Sequence, residues 1–226
     1  MQRIVIIGTS GHAKVVAEIV EREAKCAVAG LVDSFRPAGE SAFGYRILGS
    51  EQALGALMTS EGITGAIIAI GDNWQRSRMA RSIAERTPQL AFVSAVHPSA
   101  AIARDVALGA GSVVMPGAVI NPGARLGLHC IVNTGATLDH DCRLGDFASL
   151  APGAVLGGNV ALGEFAAIML GAHVIHRRRV GAHAVVGAGA LVLEDIPDRA
   201  VAYGMPASVV RSRKEGDPYL HDHVAR

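Results

Sequence analysis

The 226 residues carry a formal charge of +1, half of them are hydrophobic, only 4% are aromatic, and 27 are glycine. That balance gives no electrostatic footprint for nucleic acid or an anionic membrane surface, and no apolar run approaches the roughly 20 residues of a membrane span. Cys26, Cys130 and Cys142 are odd in number and lack CxxC spacing, which argues against a disulfide framework or a zinc site and makes a reducing cytoplasm the expected location.

Residues 1–94 alternate strand and helix signals. The apolar run Ile4–Ile7 suits a strand buried on both faces. Gly8-Thr9-Ser10-Gly11-His12 follows, and then Val15, Val16, Ile19 and Val20 recur at helical spacing. Ala27–Val32 and Ile63–Ile70 read as further strands, and Asn73–Arg86 as a helix stopped by Pro88. Alternating β and α elements predict a small parallel, Rossmann-like sheet with covering helices.

From Val96 the period becomes six. Every sixth residue from Val96 through Val192 is aliphatic, and the position four residues later is small or β-branched, as at Ala118, Ala124, Cys130, Ala136, Cys142 and Ala148. Leu108-Gly109, Leu126-Gly127, Leu144-Gly145, Leu162-Gly163 and Val180-Gly181 add an 18-residue rhythm. Neither a helix nor an alternating sheet holds that period, whereas a triangular parallel β-helix of three short strands per coil does. The repeat domain spans 95–197, and 198–226 form a C-terminal extension and tail. Arg178 falls on a small inward position. An unpaired cation cannot stay in the core, so either the coil bulges or the side chain escapes to solvent or a neighbouring subunit.

Residues 18 apart stack on neighbouring coils, about 4.8 Å apart. The column through His140 therefore reads Pro122, His140, Gly158, His176. An outward imidazole at this corner can take a proton from an incoming amine or hydroxyl. Asp139 or Asp141 can orient it, and Gly158 leaves room for a substrate and offers a backbone N–H to a developing oxyanion. In the first βα turn a phosphate could rest on helix-start N–H groups near Gly8, Ser10, Gly11 and His12, with Asp33 accepting from a ribose or base. The turn lacks the full G-x-G-x-x-G fingerprint, and ordinary βα turn chemistry would also explain it. Arg177 and Arg179, beside His176, could meet phosphates or form a solvated basic turn.

Gly8-Thr9-Ser10-Gly11-His12, Ile70-Gly71-Asp72-Asn73, His97-Pro98-Ser99-Ala100, the run Asn133-Thr134-Gly135-Ala136 through His140-Asp141-Cys142, and Tyr203-Gly204-Met205-Pro206-Ala207 together resemble one family. It is the sialic-acid O-acetyltransferase and nucleotide-amino-sugar N-acetyltransferase family of bacterial glycan biosynthesis, and the likeness extends to about residue 211. The resemblance implies a left-handed β-helix, a homotrimer with active sites between prisms, and direct attack on acetyl-CoA without a covalent acyl-enzyme or a metal. It further implies His140 as general base paired with Asp141, and Gly158 as donor to the thioester carbonyl. It places Gly8, Ser10, Gly11, His12, Asp33 and Asn73 around the nucleotide of a UDP-, dTDP- or GDP-linked sugar, and Asn133 near the acceptor and thioester. It also places CoA along the later coils; Gly158, His176, Arg177 and Arg179 are the candidate contacts, although relatives commonly carry an uncharged Pro- or Gly-containing turn where this chain has His176-Arg177-Arg178-Arg179. One departure is Ser149, where many relatives carry a second histidine.

N-acetylation of a nucleotide-linked amino sugar is the leading expectation, and O-acetylation of a sugar hydroxyl, such as that of sialic acid, is its nearest rival. A zinc hydratase on the same prism would need histidine pairs five residues apart, absent from His129, His140, His173, His176 and His183. A non-catalytic trimeric scaffold or binding protein is the remaining alternative.

Overall fold

The computed structural model describes residues 1–220; 221–226, the end of the expected C-terminal tail, lie outside the described residues. The chain begins with β1 (Gln2–Ile7), α1 (Gly11–Glu23) and β2 (Cys26–Val32). Next come the hairpin β3 (Ser41–Ala42) and β4 (Tyr45–Gly49), α2 (Leu54–Ser60), β5 (Gly65–Ile68), α3 (Asn73–Arg86) and β6 (Ala91–Phe92). The sheet order is β3-β4-β2-β1-β5-β6, all parallel except the β3–β4 pair. Ile4, Ile6, Ile7, Leu31 and Ile67 are almost fully buried, as expected of central strands covered on both faces.

The prism follows from its first rung, Ala95–Val96. Two-residue strands stack in parallel on three faces, in register at 18-residue steps such as Val114↔Val132, Ile120↔Leu138 and Leu126↔Leu144. Face one carries eight strands including the closing hairpin Ala200–Gly204 and Ala207–Ser212, face two carries six and face three five. The coil is the left-handed β-helix of acetyltransferases. Aliphatic and small residues from Val114 to Ala202 make one continuous axis. The Leu-Gly rhythm has a steric cause: a Cβ on Gly109, Gly145 or Gly163 would lie 2.2–2.5 Å from backbone atoms of the next coil.

The last coil is short. Val180 pairs with Ile196, sixteen residues on, and Val186 with Ala202. Arg178 uses this end of the prism: its carbonyl still accepts from Ala161 N–H at 3.0 Å, so no bulge forms. Its guanidinium escapes the axis toward the Glu194 and Asp195 carboxylates, 3.9 and 4.0 Å away.

The two domains meet along the corner between faces three and one. There His129, Phe147, Phe165 and His183, one per coil, all hold φ between 53° and 60°. Their rings stack with centroids 5.1, 5.4 and 4.4 Å apart and within 12° of parallel. Left-handed backbone costs a non-glycine residue about 1–2 kcal/mol, and face-to-face burial of four rings offsets it. Helix α3 lies against this ladder through Trp74, 5.6 Å from Phe165 and 5.8 Å from His183, and Phe92 meets His129 edge-on at 4.6 Å. Arg76, 1% exposed, donates to the carbonyls of His129, Phe147, Ile70 and Gly71 and to Asn73 Oδ1, all at 2.7–3.0 Å.

Candidate active site

Asp141 adopts φ 59° at the corner between faces two and three. That turn swings its carboxylate beside the preceding imidazole, where His140 Nδ1 lies 2.8 Å from Asp141 Oδ2. Asp139 caps the same turn by accepting from His140 N–H at 2.8 Å and from Asn121 Nδ2 at 2.9 Å. The Asp141 hydrogen bond raises the His140 pKa above its ordinary 6.5, with Asp139 reinforcing it and Arg177 opposing it. Because Nδ1 is taken by the carboxylate, Nε2 is the free nitrogen, and it faces the next coil. A Cβ on Gly158 would sit 2.5 Å from it, so a larger residue would have to push the imidazole out of this position. Among the described residues the Gly158 N–H donates to no protein acceptor. An imidazole, a carboxylate that orients it and a free N–H therefore share one exposed corner, groups of the kind an acyl transfer uses.

Arg177 sits on the same corner column at φ 59°, next above Asn159, and it is exposed, as is His176. Arg179 points elsewhere: it lies on face three, where its guanidinium is 3.6 Å from Asp198 and its N–H donates to Asp195 at 2.9 Å. Among the described residues no three His, Cys, Asp or Glu side chains group as a metal site, and no helix is long and apolar enough to cross a membrane.

A cavity of about 660 Å³ opens at the C-terminal edge of the α/β sheet, lined by Gly8, Ser10, Gly11, His12 and Asp33 together with Thr9, Ser34, Phe35, Glu51 and Leu220. Helix α1 starts there without a side-chain cap on its first N–H groups, an electropositive end open to an anion. Asp33 is fixed at the end of β2, accepting from Thr9 Oγ1 at 2.6 Å and Phe35 N–H at 2.7 Å. Among the described residues His12 Nε2 is buried without a partner, and burial, assisted by Arg76, lowers its pKa to about 4, so the ring is neutral. Its free nitrogen does not serve the helix start.

Asn73, grouped by sequence with this pocket, is a correction. It is 1% exposed and does not line the cavity; its amide donates to the carbonyls of Phe165 and Ala166 at 3.2 Å, so it fastens α3 to the prism. A second cavity of about 150 Å³ adjoins the first through His12, Gly71 and Leu220, and holds Asn133, Ser149 and Tyr219. Tyr219 closes it from the C-terminal segment, accepting from Asn73 N–H at 3.0 Å. Thr9, Phe35, Glu51, Arg76 and Tyr219 escaped the sequence reading. Only the 18-residue spacing of His129, Phe147, Phe165 and His183 offered a signal, and it marked the ladder that Arg76 serves.

Comparison with known proteins settles the family. The PglD N-terminal domain family matches residues 3–83. The solved structure of PerB from Caulobacter crescentus, in complex with CoA and GDP-perosamine, superposes with TM-score 0.86 at 39% identity, covering 92% of this chain and 97% of that one. The chain belongs to the hexapeptide-repeat sugar acyltransferases. The acetyltransferase domain of PglB from Neisseria gonorrhoeae FA1090, in complex with acetyl coenzyme A, matches this acyltransferase with TM-score 0.84 at 33% identity over 92% of the chain and 99% of that domain. A Lactococcus lactis galactoside O-acetyltransferase is 49% identical over only 39 residues, 17% of this chain, so the chain spans about a fifth (19%) of that curated relative.

Proposed function

We propose that this acyltransferase moves an acetyl group from acetyl-CoA to the amino group of a nucleotide-linked amino sugar, with His140 as general base. The observation that carries the mechanism is the imidazole held by Asp141 with Nε2 against Gly158. In the attack, Nε2 takes the proton of the amine as its nitrogen bonds to the thioester carbon, and Asp141 stabilises the resulting imidazolium. The Gly158 N–H lies where charge gathers on the thioester oxygen. Collapse breaks the C–S bond, and the proton held by His140 passes to the leaving thiolate.

The PerB likeness favours nitrogen as the acceptor atom, and the PglB likeness favours acetyl-CoA as the donor. PerB binds GDP-perosamine with CoA and the PglB domain binds acetyl-CoA, whereas the O-acetyltransferase shares only a short segment. The α/β cavity supplies the nucleotide site, with the diphosphate at the start of α1 and beside His12, and the sugar reaching toward Asn133 and Ser149. His176 and Arg177 line the path for CoA; Arg179, already paired, contributes less. Residues 1–94 form the nucleotide-sugar unit and 95–197 the acyl-transfer prism.

Neither cavity is lined by His140, Asp141 or Gly158, which occupy a different prism corner. A homotrimer that brings one chain's cavity to its neighbour's His140 supplies the missing half, and a cytoplasmic location supplies acetyl-CoA. The test is thiol release from acetyl-CoA with a panel of nucleotide-linked amino sugars. Turnover that falls about 10²- to 10⁴-fold in His140→Ala supports the reading; turnover with hydroxyl acceptors alone refutes it.

A further inference from the structure

We infer that the nucleotide carried by the acceptor sugar is a guanine nucleotide, selected by Glu51 with Phe35. This rests on reading the larger cavity as the nucleotide-sugar site. The start of α1 and the unpartnered His12 mark the phosphate end. From there the sheet order runs β1, β2, β4, so Asp33, after β2, lies one strand away and Glu51, after β4, two strands away. Two strand spacings are about 10 Å, the reach of a ribose and its base.

The far end has the chemistry of a base pocket. Phe35 is 97% exposed yet lines the cavity, an apolar ring with an open face on which a base can stack. Each Asp33 oxygen already accepts one protein hydrogen bond, from Thr9 and from the Phe35 N–H. Glu51 differs: Ser34 Oγ donates to its Oε2, and among the described residues Oε1 receives no protein donor. Ser34 thus anchors the carboxylate without using up its acceptor capacity. Among the described residues no lysine or arginine lines this cavity.

A carboxylate offers acceptors only. Guanine presents two adjacent donors, N1–H and the N2 amine, which match two carboxylate oxygens in a bidentate pair. Uracil and thymine present N3–H between two carbonyl oxygens, so a carboxylate there gains one hydrogen bond and meets one repulsion. Adenine and cytosine place their amine beside a ring acceptor and fare similarly.

The experiment is calorimetric titration of the full-length protein with GDP, UDP and dTDP, paired with turnover of GDP- and UDP-linked amino sugars. GDP is expected to bind about 10- to 100-fold tighter, the discrimination of one bidentate pair. Glu51→Gln, whose amide offers one acceptor and one donor, should shrink that ratio at least about tenfold, while Phe35→Ala weakens all three nucleotides alike. The wild-type ranking needs no variant, so a folding defect in either cannot rescue the inference. A preference for UDP or dTDP with turnover intact overturns this inference alone, as does Glu51→Gln weakening all three equally, which would assign Glu51 to the ribose. Binding of none of the three overturns it together with the nucleotide-sugar reading.

Discussion

At the scale of single residues, the decisive contact joins sequence neighbours. His140 and Asp141 meet because Asp141 turns into left-handed backbone, which brings two adjacent side chains onto one side of the corner. The carboxylate raises the imidazole pKa, and catalysis needs the neutral form, so the acid limb of kcat/KM should lie above pH 6.5. Replacing Asp141 with Asn removes the first cause of that rise; the limb should move to lower pH while kcat drops, as a pH-rate series would show. An unmoved limb would mean another group titrates. Gly158→Ala is a sterically defined test. Its methyl would meet Nε2 at 2.5 Å, and the exposed ring can swing away at little cost. The thermal midpoint should therefore stay near wild type while kcat/KM falls about 10²-fold or more.

At the scale of elements, docking of α3 on the ladder governs stability. Among the described residues Arg76 has no carboxylate partner there; five carbonyl-type oxygens share its donors. Arg76→Met would strand these buried acceptors and should cost more than about 3 kcal/mol in denaturant unfolding. His129 adds a pH dependence. Burial first, and Arg76 second, lower its pKa to about 4, and that of His12 likewise, whereas unfolded histidines titrate near 6.5. Between those values the unfolded chain binds more protons, so stability is full above 6.5 and is lost as pH falls toward 4. His129→Phe, continuing the phenylalanine rungs, should flatten that decline in thermal melts across the window. The column of His140 is read from its 18-residue spacing, and the ladder's four rings share that spacing unread, because a solenoid converts sequence separation into distance. The α/β half has no such ruler. Strand β1, helix α1 and helix α3 followed from apolar runs and helical spacing, but β3, β4 and α2 did not, being short and weakly patterned. Glu51 was hidden with them. Asn73 misled because helix-start residues next to a binding turn look alike whether they face a ligand or, as here, a neighbouring domain.

At the scale of the whole molecule, the proposed base and the proposed acceptor cavities lie apart within one chain, so the proposed trimer becomes a matter of function. Co-assembling His140→Ala chains with Asp33→Ala chains, whose cavity is damaged, should restore activity that neither variant has alone, approaching about a quarter of wild type for random mixing around a closed ring. Absence of recovery in verified mixed oligomers would show that each chain uses its own His140. The four stacked rings also act as a molecular vernier. Because α3 reads them at fixed coil intervals while α1 packs on the first rung, Ala95–Val96, adding a whole coil of 18 residues before Gly111 would move that rung away from the ladder and separate the two contacts. The same change between His129 and His183 would keep every β-rung paired yet slide the α/β unit off its seat, and with it the cavity that must meet the catalytic corner.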